Sequence, residues 1–184
     1  ELTKKGIVLV DTPGADSINA RHTNAAFHYI KNSDAILFVT YYNHPFAKAD
    51  REFLIQLGRV KDAFSMDKMF FICNAIDLAQ EEEELSDVMQ YIKGQLEGFG
   101  IRFPRLFPIS SKEALQEINS DYTFKHPFLQ NSGMAQFQQA FSHFIQHELI
   151  DLACSSAKAT VERGLHQLQE MIAVSQSSAA QKQE

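Results

Sequence analysis

No apolar run in the 184 residues approaches the roughly 18–20 needed to span a membrane, and no secretory leader pattern is visible. There is no CxxC pair. The two cysteines, Cys73 and Cys154, lie far apart in apolar or small-residue settings, which reads as buried thiols of a reducing compartment rather than a disulfide or zinc site. Basic charge is also scarce. A formal net charge of −6 argues against a nucleic-acid binder, because a phosphate backbone demands clustered Lys and Arg. These absences predict a cytoplasmic protein with no zinc site at its cysteines.

What is present is an ordinary globular composition, 45% hydrophobic, in a chain long enough for one domain with a core and an appended element. Four short apolar runs recur: Ile7–Val10, Ala35–Thr40, Met69–Cys73 and Leu106–Ile109. Each is rich in Val, Ile or Phe, as in parallel strands covered on both faces. Amphipathic stretches separate them. Phe53, Leu57, Val60 and Phe64 recur at helical spacing, as do Leu85, Val88 or Met89, Ile92 and Leu96. The acidic run Glu81–Glu84 suits the first turn of that second helix, where the macrodipole favours negative charge. Strand–helix alternation with right-handed crossovers predicts an α/β doubly wound, mainly parallel sheet.

The segment Glu117–Gly133 breaks this rhythm and reads as a surface excursion. From Met134 a helical pattern resumes and runs for about forty residues, through Phe137, Phe141 and Phe144 and then Val161, Leu165, Leu168 and Ile172. So long a stripe exceeds what one small sheet can cover, so its second half is expected to join a helical bundle or another chain, with a tail fraying from about Ser175.

Three strand ends carry chemistry. The first run stops on Asp11-Thr12-Pro13-Gly14. In P-loop nucleotide hydrolases such a turn places the carboxylate, here Asp11, on Mg²⁺ through a water, and the Gly14 N–H on the γ-phosphate. A plain strand-end turn has the same letters. The third run ends in Asn74-Ala75-Ile76-Asp77, where guanine-nucleotide proteins carry Asn/Thr-Lys-x-Asp. There the final carboxylate accepts hydrogen bonds from guanine N1 and N2, and the Asn braces the loop. Alone, this stretch also fits an Asx turn capping a helix. The fourth run leads into Ser110-Ser111-Lys112, at the place of a Ser-Ala-Lys motif whose backbone N–H groups face guanine O6. The three elements come in the right order, about sixty and then about thirty-five residues apart.

With these motifs, and with Asn19–Leu54 similar to a switch-II helix, fourth strand and following helix, the chain resembles the GTPase domain of the dynamin superfamily, bacterial dynamin-like proteins and mitofusins above all. The likeness covers Gly6 to His147. It implies a P-loop GTPase-type α/β fold, partial because its first strands are missing, over residues 1–147 from switch II onward. Residues 148–184 would then begin a neck or stalk bundle. Asp11, Thr12, Gly14, Asn74, Asp77, Ser110, Ser111 and Lys112 would bind GTP or GDP, with Asp11 on Mg²⁺. The implied activity is GTP hydrolysis driving dimerisation across the nucleotide domain and membrane fusion or remodelling. The membrane would be reached through regions outside this chain, placing the protein peripherally at the inner face of the cell membrane.

Two departures from the pattern stand out. Ala75 replaces the usual lysine, whose alkyl stem packs over the base, at an expected loss of about 1–2 kcal/mol of guanine affinity. A GxxxxGK loop followed by Ser or Thr, and a switch-I threonine, do not occur in these residues. The 184 residues are therefore expected not to hydrolyse GTP alone, and no catalytic residue is assigned among them. With the strand that carries such a loop missing, the sheet is expected to show unpaired edges and bared apolar surface. His22, His28, His44 and Arg21 read as surface residues, and Tyr41–Pro45 as a packed loop or a dimer contact.

Overall fold

The computed structural model describes residues 6–12, 29, 33–59, 68–101, 104–118, 123–124, 126 and 128–181. Contacts divide the chain into two units, 1–137 and 138–184. In the first unit, strands β1 (Ile36–Tyr41), β2 (Met69–Asn74) and β3 (Arg105–Ile109) form a parallel sheet in the order β1-β2-β3. Ile36 pairs with Met69 and Phe70 with Arg105 in the two registers. Parallel neighbours need crossovers. Helices α1 (Lys48–Arg59) and α2 (Glu82–Gly98) lie on the two connections.

The central strand β2 is buried from Met69 to Cys73 on both faces, which is why it reads as an unbroken apolar run. Alternation sends Met69, Phe71 and Cys73 to one face, where they cluster with Phe38, with Leu54 of α1 and with Ile92 and Leu96 of α2. Phe70 points the other way. Its ring meets those of Phe107 and Phe137, and the Arg105 guanidinium lies 5.2 Å above it. Within α2, the acidic first turn is in place, and Glu84 reaches back to accept from the Gln80 N–H at 2.8 Å.

The strand expected over Ile7–Val10 is not in the sheet. That segment is irregular, with Val8 81% and Leu9 61% exposed. A strand exists through its ladder bonds, and among the described residues this run has no neighbour to bond to. Among the described residues β1 is correspondingly an edge strand, and Val39 and Tyr41 on it are exposed. Val60 and Phe64 of the first expected helical stripe fall outside the described residues.

After Ser111–Gln116, helix α3, the long helical stretch comes as α4 (Met134–His143), a π-helical turn (Phe144–Glu148) and α5 (Leu149–Gln181). Val161, Leu165, Leu168, Met171 and Ile172 on α5 are exposed. The helix is assigned as far as Gln181. Among the described residues, no helix is long and apolar enough to cross a membrane.

Burial holds two ionisable groups of the first unit neutral. Desolvation pushes the Cys73 thiol up to about 12, and burial, then the Glu84 carboxylate, push the Tyr42 hydroxyl up to about 12. In the unfolded chain these groups ionise near ~8.5 and ~10, so above those values the unfolded state binds fewer protons than the folded one. Stability from these groups is therefore whole below pH ~8.5 and is lost as pH rises toward 12. Urea midpoints across pH 7 to 12 should fall in that window, and Cys73→Ala should remove the earliest part of the fall. A thiol reagent should label exposed Cys154 in the native chain and Cys73 only in urea.

Candidate functional site

β2 ends at Asn74, and the chain then turns through Ala75 in the left-handed conformation (φ 68°, ψ 37°) into a 3₁₀ turn at Ile76–Leu78. The Leu78 N–H donates to the Ala75 carbonyl at 3.1 Å and that of Ala79 to Ile76 at 3.1 Å. This tight turn carries Asp77, which is 8% exposed. β3 ends at Ile109, and Ser110 caps α3 by accepting from the Glu113 N–H at 3.1 Å.

The two strand ends are tied together by side chains. The Ser110 hydroxyl donates to Asp77 Oδ1 at 2.6 Å while it accepts from Glu113, using its one donor and one of its two acceptor sites. The Ser111 N–H donates to Asn74 Oδ1 at 3.0 Å. Lys112 Nζ lies 3.5 Å from Asp77 Oδ2. The lysine is 64% exposed, so this pair adds little to stability but leaves a cation beside the carboxylate. Each carboxylate oxygen keeps an unused lone pair, so Asp77 can accept two more hydrogen bonds from a planar group with adjacent donors. Of the first-turn N–H groups of α3, those of Ser111, Glu113 and Ala114 are bonded, while that of Lys112 has no protein acceptor among the described residues.

Asn74, Asp77, Ser110, Ser111 and Lys112 are thus brought together. Asp11 is exposed and Thr12 half-buried in the irregular segment after Val10. Gly14, like Arg21, His22 and His28, lies outside the described residues. The oxygen chemistry of Asp11 suits Mg²⁺, which takes one or two carboxylates with phosphates and waters. Among the described residues no group of three metal-ligating side chains joins it. On the loop after β1, Tyr42 and Phe46 are buried and the Tyr42 N–H donates to the Asn74 carbonyl at 2.9 Å, so these residues pack. His44 is exposed.

One supporting segment escaped the sequence reading. The Ser110 N–H donates to the Ser132 carbonyl at 2.9 Å. Ser132 is held in turn by Glu117, whose carboxylate accepts from its N–H at 2.8 Å and from its hydroxyl. The next residue, Gly133, sits at φ 76° against the Pro108 carbonyl. The stretch read as a surface excursion therefore ends in a buried brace for the Ser110 loop. Asn131-Ser132-Gly133 directly before a helical pattern is an N-cap signature that could have flagged it, and Ser132 Oγ does accept from the Met134 N–H at 3.3 Å.

Comparison with known proteins finds likenesses to one family. A model described as "Dynamin family" matches residues 1–76. Dynamin-like protein A of Bacillus subtilis is 56% identical over 114 residues, 62% of this chain and 10% of that protein. The "Bacterial dynamin-like protein" of Nostoc punctiforme is 27% identical over 199 residues, 92% of this chain and 27% of that protein. A "Probable transmembrane GTPase FZO-like, chloroplastic" of Arabidopsis thaliana is 26% identical over 113 residues, 61% of this chain and 12% of that protein. The chain thus spans about a tenth to a quarter of the length of these relatives. The three-stranded parallel sheet and the order of its motifs agree with these likenesses: the chain is similar to proteins of the dynamin family, most strongly over its first part.

Proposed function

We propose that this chain supplies the guanine-recognising part of a GTP-binding, GTP-hydrolysing domain in a larger dynamin-like protein. The observation that carries the reading is the buried Asp77 carboxylate, held by Ser110 with two lone pairs left over. Guanine N1 and N2 offer two adjacent donors that match it, while adenine offers none at the corresponding position. The unpaired Lys112 N–H suits guanine O6. Mg²⁺ would arrive with the nucleotide and meet Asp11. No residue of this chain is assigned to the hydrolytic step, so the 184 residues alone are expected to be inactive.

In the same proposal, nucleotide binding drives pairing of two such domains, and α5 opens a neck or stalk bundle, a reading supported by its exposed apolar stripe. Membrane fusion or remodelling would be carried by other regions, with the protein peripheral at the inner face of the cell membrane. The net charge of −6 argues against nucleic acid as a partner.

Ala75 favours a second reading, a degenerate domain that serves as a structural or dimerisation scaffold. Its methyl group offers no stem to lie over a base. The two readings separate in a Mg²⁺-dependent titration of fluorescent GTP and ATP analogues against this chain and the full-length protein. The enzyme reading expects the full-length protein to bind GTP well above ATP. It also expects Ala75→Lys to tighten GTP by roughly 5- to 30-fold, the equivalent of about 1–2 kcal/mol. Binding of neither nucleotide by the full-length protein leaves the scaffold.

A further inference from the structure

In the second unit, His143 closes α4 and His147 lies four residues on, inside the π-helical turn Phe144–Glu148. Both rings are exposed, and their centres are 4.8 Å apart. We propose that His143 and His147 form an open two-histidine chelate for a late first-row divalent metal ion, oriented by Glu148.

Three observations converge on it. The first is separation. A metal–nitrogen bond of about 2.1 Å sets each imidazole centre about 3.2 Å from the metal, so two rings on neighbouring coordination positions stand about 4.5–5.2 Å apart. The observed spacing falls inside that range, and it brings two groups together that would repel if both were protonated. The second is the tautomer. His143 Nδ1 is 3.2 Å from Glu148 Oε1, and a carboxylate can only accept, so Nδ1 carries the hydrogen and the neutral ring offers the lone pair of Nε2. A histidine that donates its other N–H to a carboxylate is the usual arrangement behind a metal ligand.

The third is the backbone. In an α-helix, residues five apart point about 140° away from each other, whereas a π-turn closes on the fifth residue and sets it beside the first. The π-turn is therefore what allows Glu148 to reach His143 while His147 keeps its place on the same side. Among the described residues no third ligand joins the pair, so water completes the coordination. Nitrogen ligands select Cu²⁺ over Ni²⁺ and Zn²⁺ and leave Mg²⁺ to oxygen sites, so this chelate would be chemically separate from any nucleotide metal.

The test uses the 184-residue chain with Cu²⁺ and, separately, Ni²⁺, followed by calorimetry and, for Cu²⁺, electron paramagnetic resonance. The expected result is one equivalent bound at least tenfold more tightly than any further metal, with hyperfine structure from two imidazole nitrogens. His143→Gln or His147→Gln should each abolish that equivalent, because a chelate needs both rings. Glu148→Gln should weaken it by about tenfold or more without changing the stoichiometry. Far-UV circular dichroism checks the helix, and alanine variants replace any glutamine variant that loses it. A tight equivalent that survives either histidine substitution, or two equal weak losses in place of one, would overturn the proposal.

Discussion

Gly133→Ala is expected to lower the stability of the first unit by about 3 kcal/mol or more, one of the largest effects of any single methyl group here. Two costs combine. At φ 76° an L side chain is strained by about 1–2 kcal/mol. The added Cβ would also stand 2.0 Å from the Pro108 carbonyl oxygen and 3.1 Å from its carbon. Those are backbone atoms of β3, which cannot swing aside as a side chain does, so either the strand or the Asn131–Gly133 turn must move. The Ser132 carbonyl that holds the Ser110 N–H lies in that turn, so the substitution should also loosen Ser110 from Asp77. Urea unfolding followed by tryptophan-free far-UV signal reads the first effect. Gly94→Ala is the matched control: it is exposed inside α2 with nothing within 4 Å of a new Cβ, and should stabilise by about 0.5–1 kcal/mol. An unchanged midpoint for Gly133→Ala would show that the turn is not the brace it is argued to be.

Gly133 also marks where the sequence stopped being legible. β1, β2 and β3 were visible to within a residue or so, because a strand buried on both faces must be an unbroken apolar run, and the acidic first turn of α2 is a local electrostatic signal. Asp77 and Ser110 were visible because their spacing and strand-end placement are written along the chain. The bond between them, and the brace from Glu117 and Ser132, depend on segments that meet only in the fold. A glycine required by another strand's carbonyl looks like any loop glycine. The run Ile7–Val10 failed in the opposite sense. Its composition is that of a strand, yet strand formation is decided by a hydrogen-bonding neighbour, and none is present among the described residues. The π-turn is similarly silent in the sequence, since the helical periodicity passes through it with only a local change of pitch.

Asp77→Asn, made in the full-length protein, should reduce GTP affinity by about 100-fold while leaving any ATP binding where it was. The substitution keeps the size of the side chain and one acceptor oxygen, so Ser110 can still donate to it and the turn can stay closed. What changes is the edge offered to the base. A carboxylate presents two acceptors to the two donors of guanine, whereas the amide presents one acceptor and one donor, and its NH₂ faces the guanine amino group. Losing a charge-assisted pair of this kind costs about 3 kcal/mol, which converts to that fold-change. Xanthine carries a carbonyl where guanine carries the amino group, so the same amide should accept xanthosine triphosphate better than the parent carboxylate does. A gain for one base matched by a loss for the other cannot come from a damaged fold, which would weaken both. If GTP binding is unaltered by Asp77→Asn, the carboxylate is only the cap of a turn, its hydrogen bond to Ser110 is structural, and the guanine reading of this strand end is wrong.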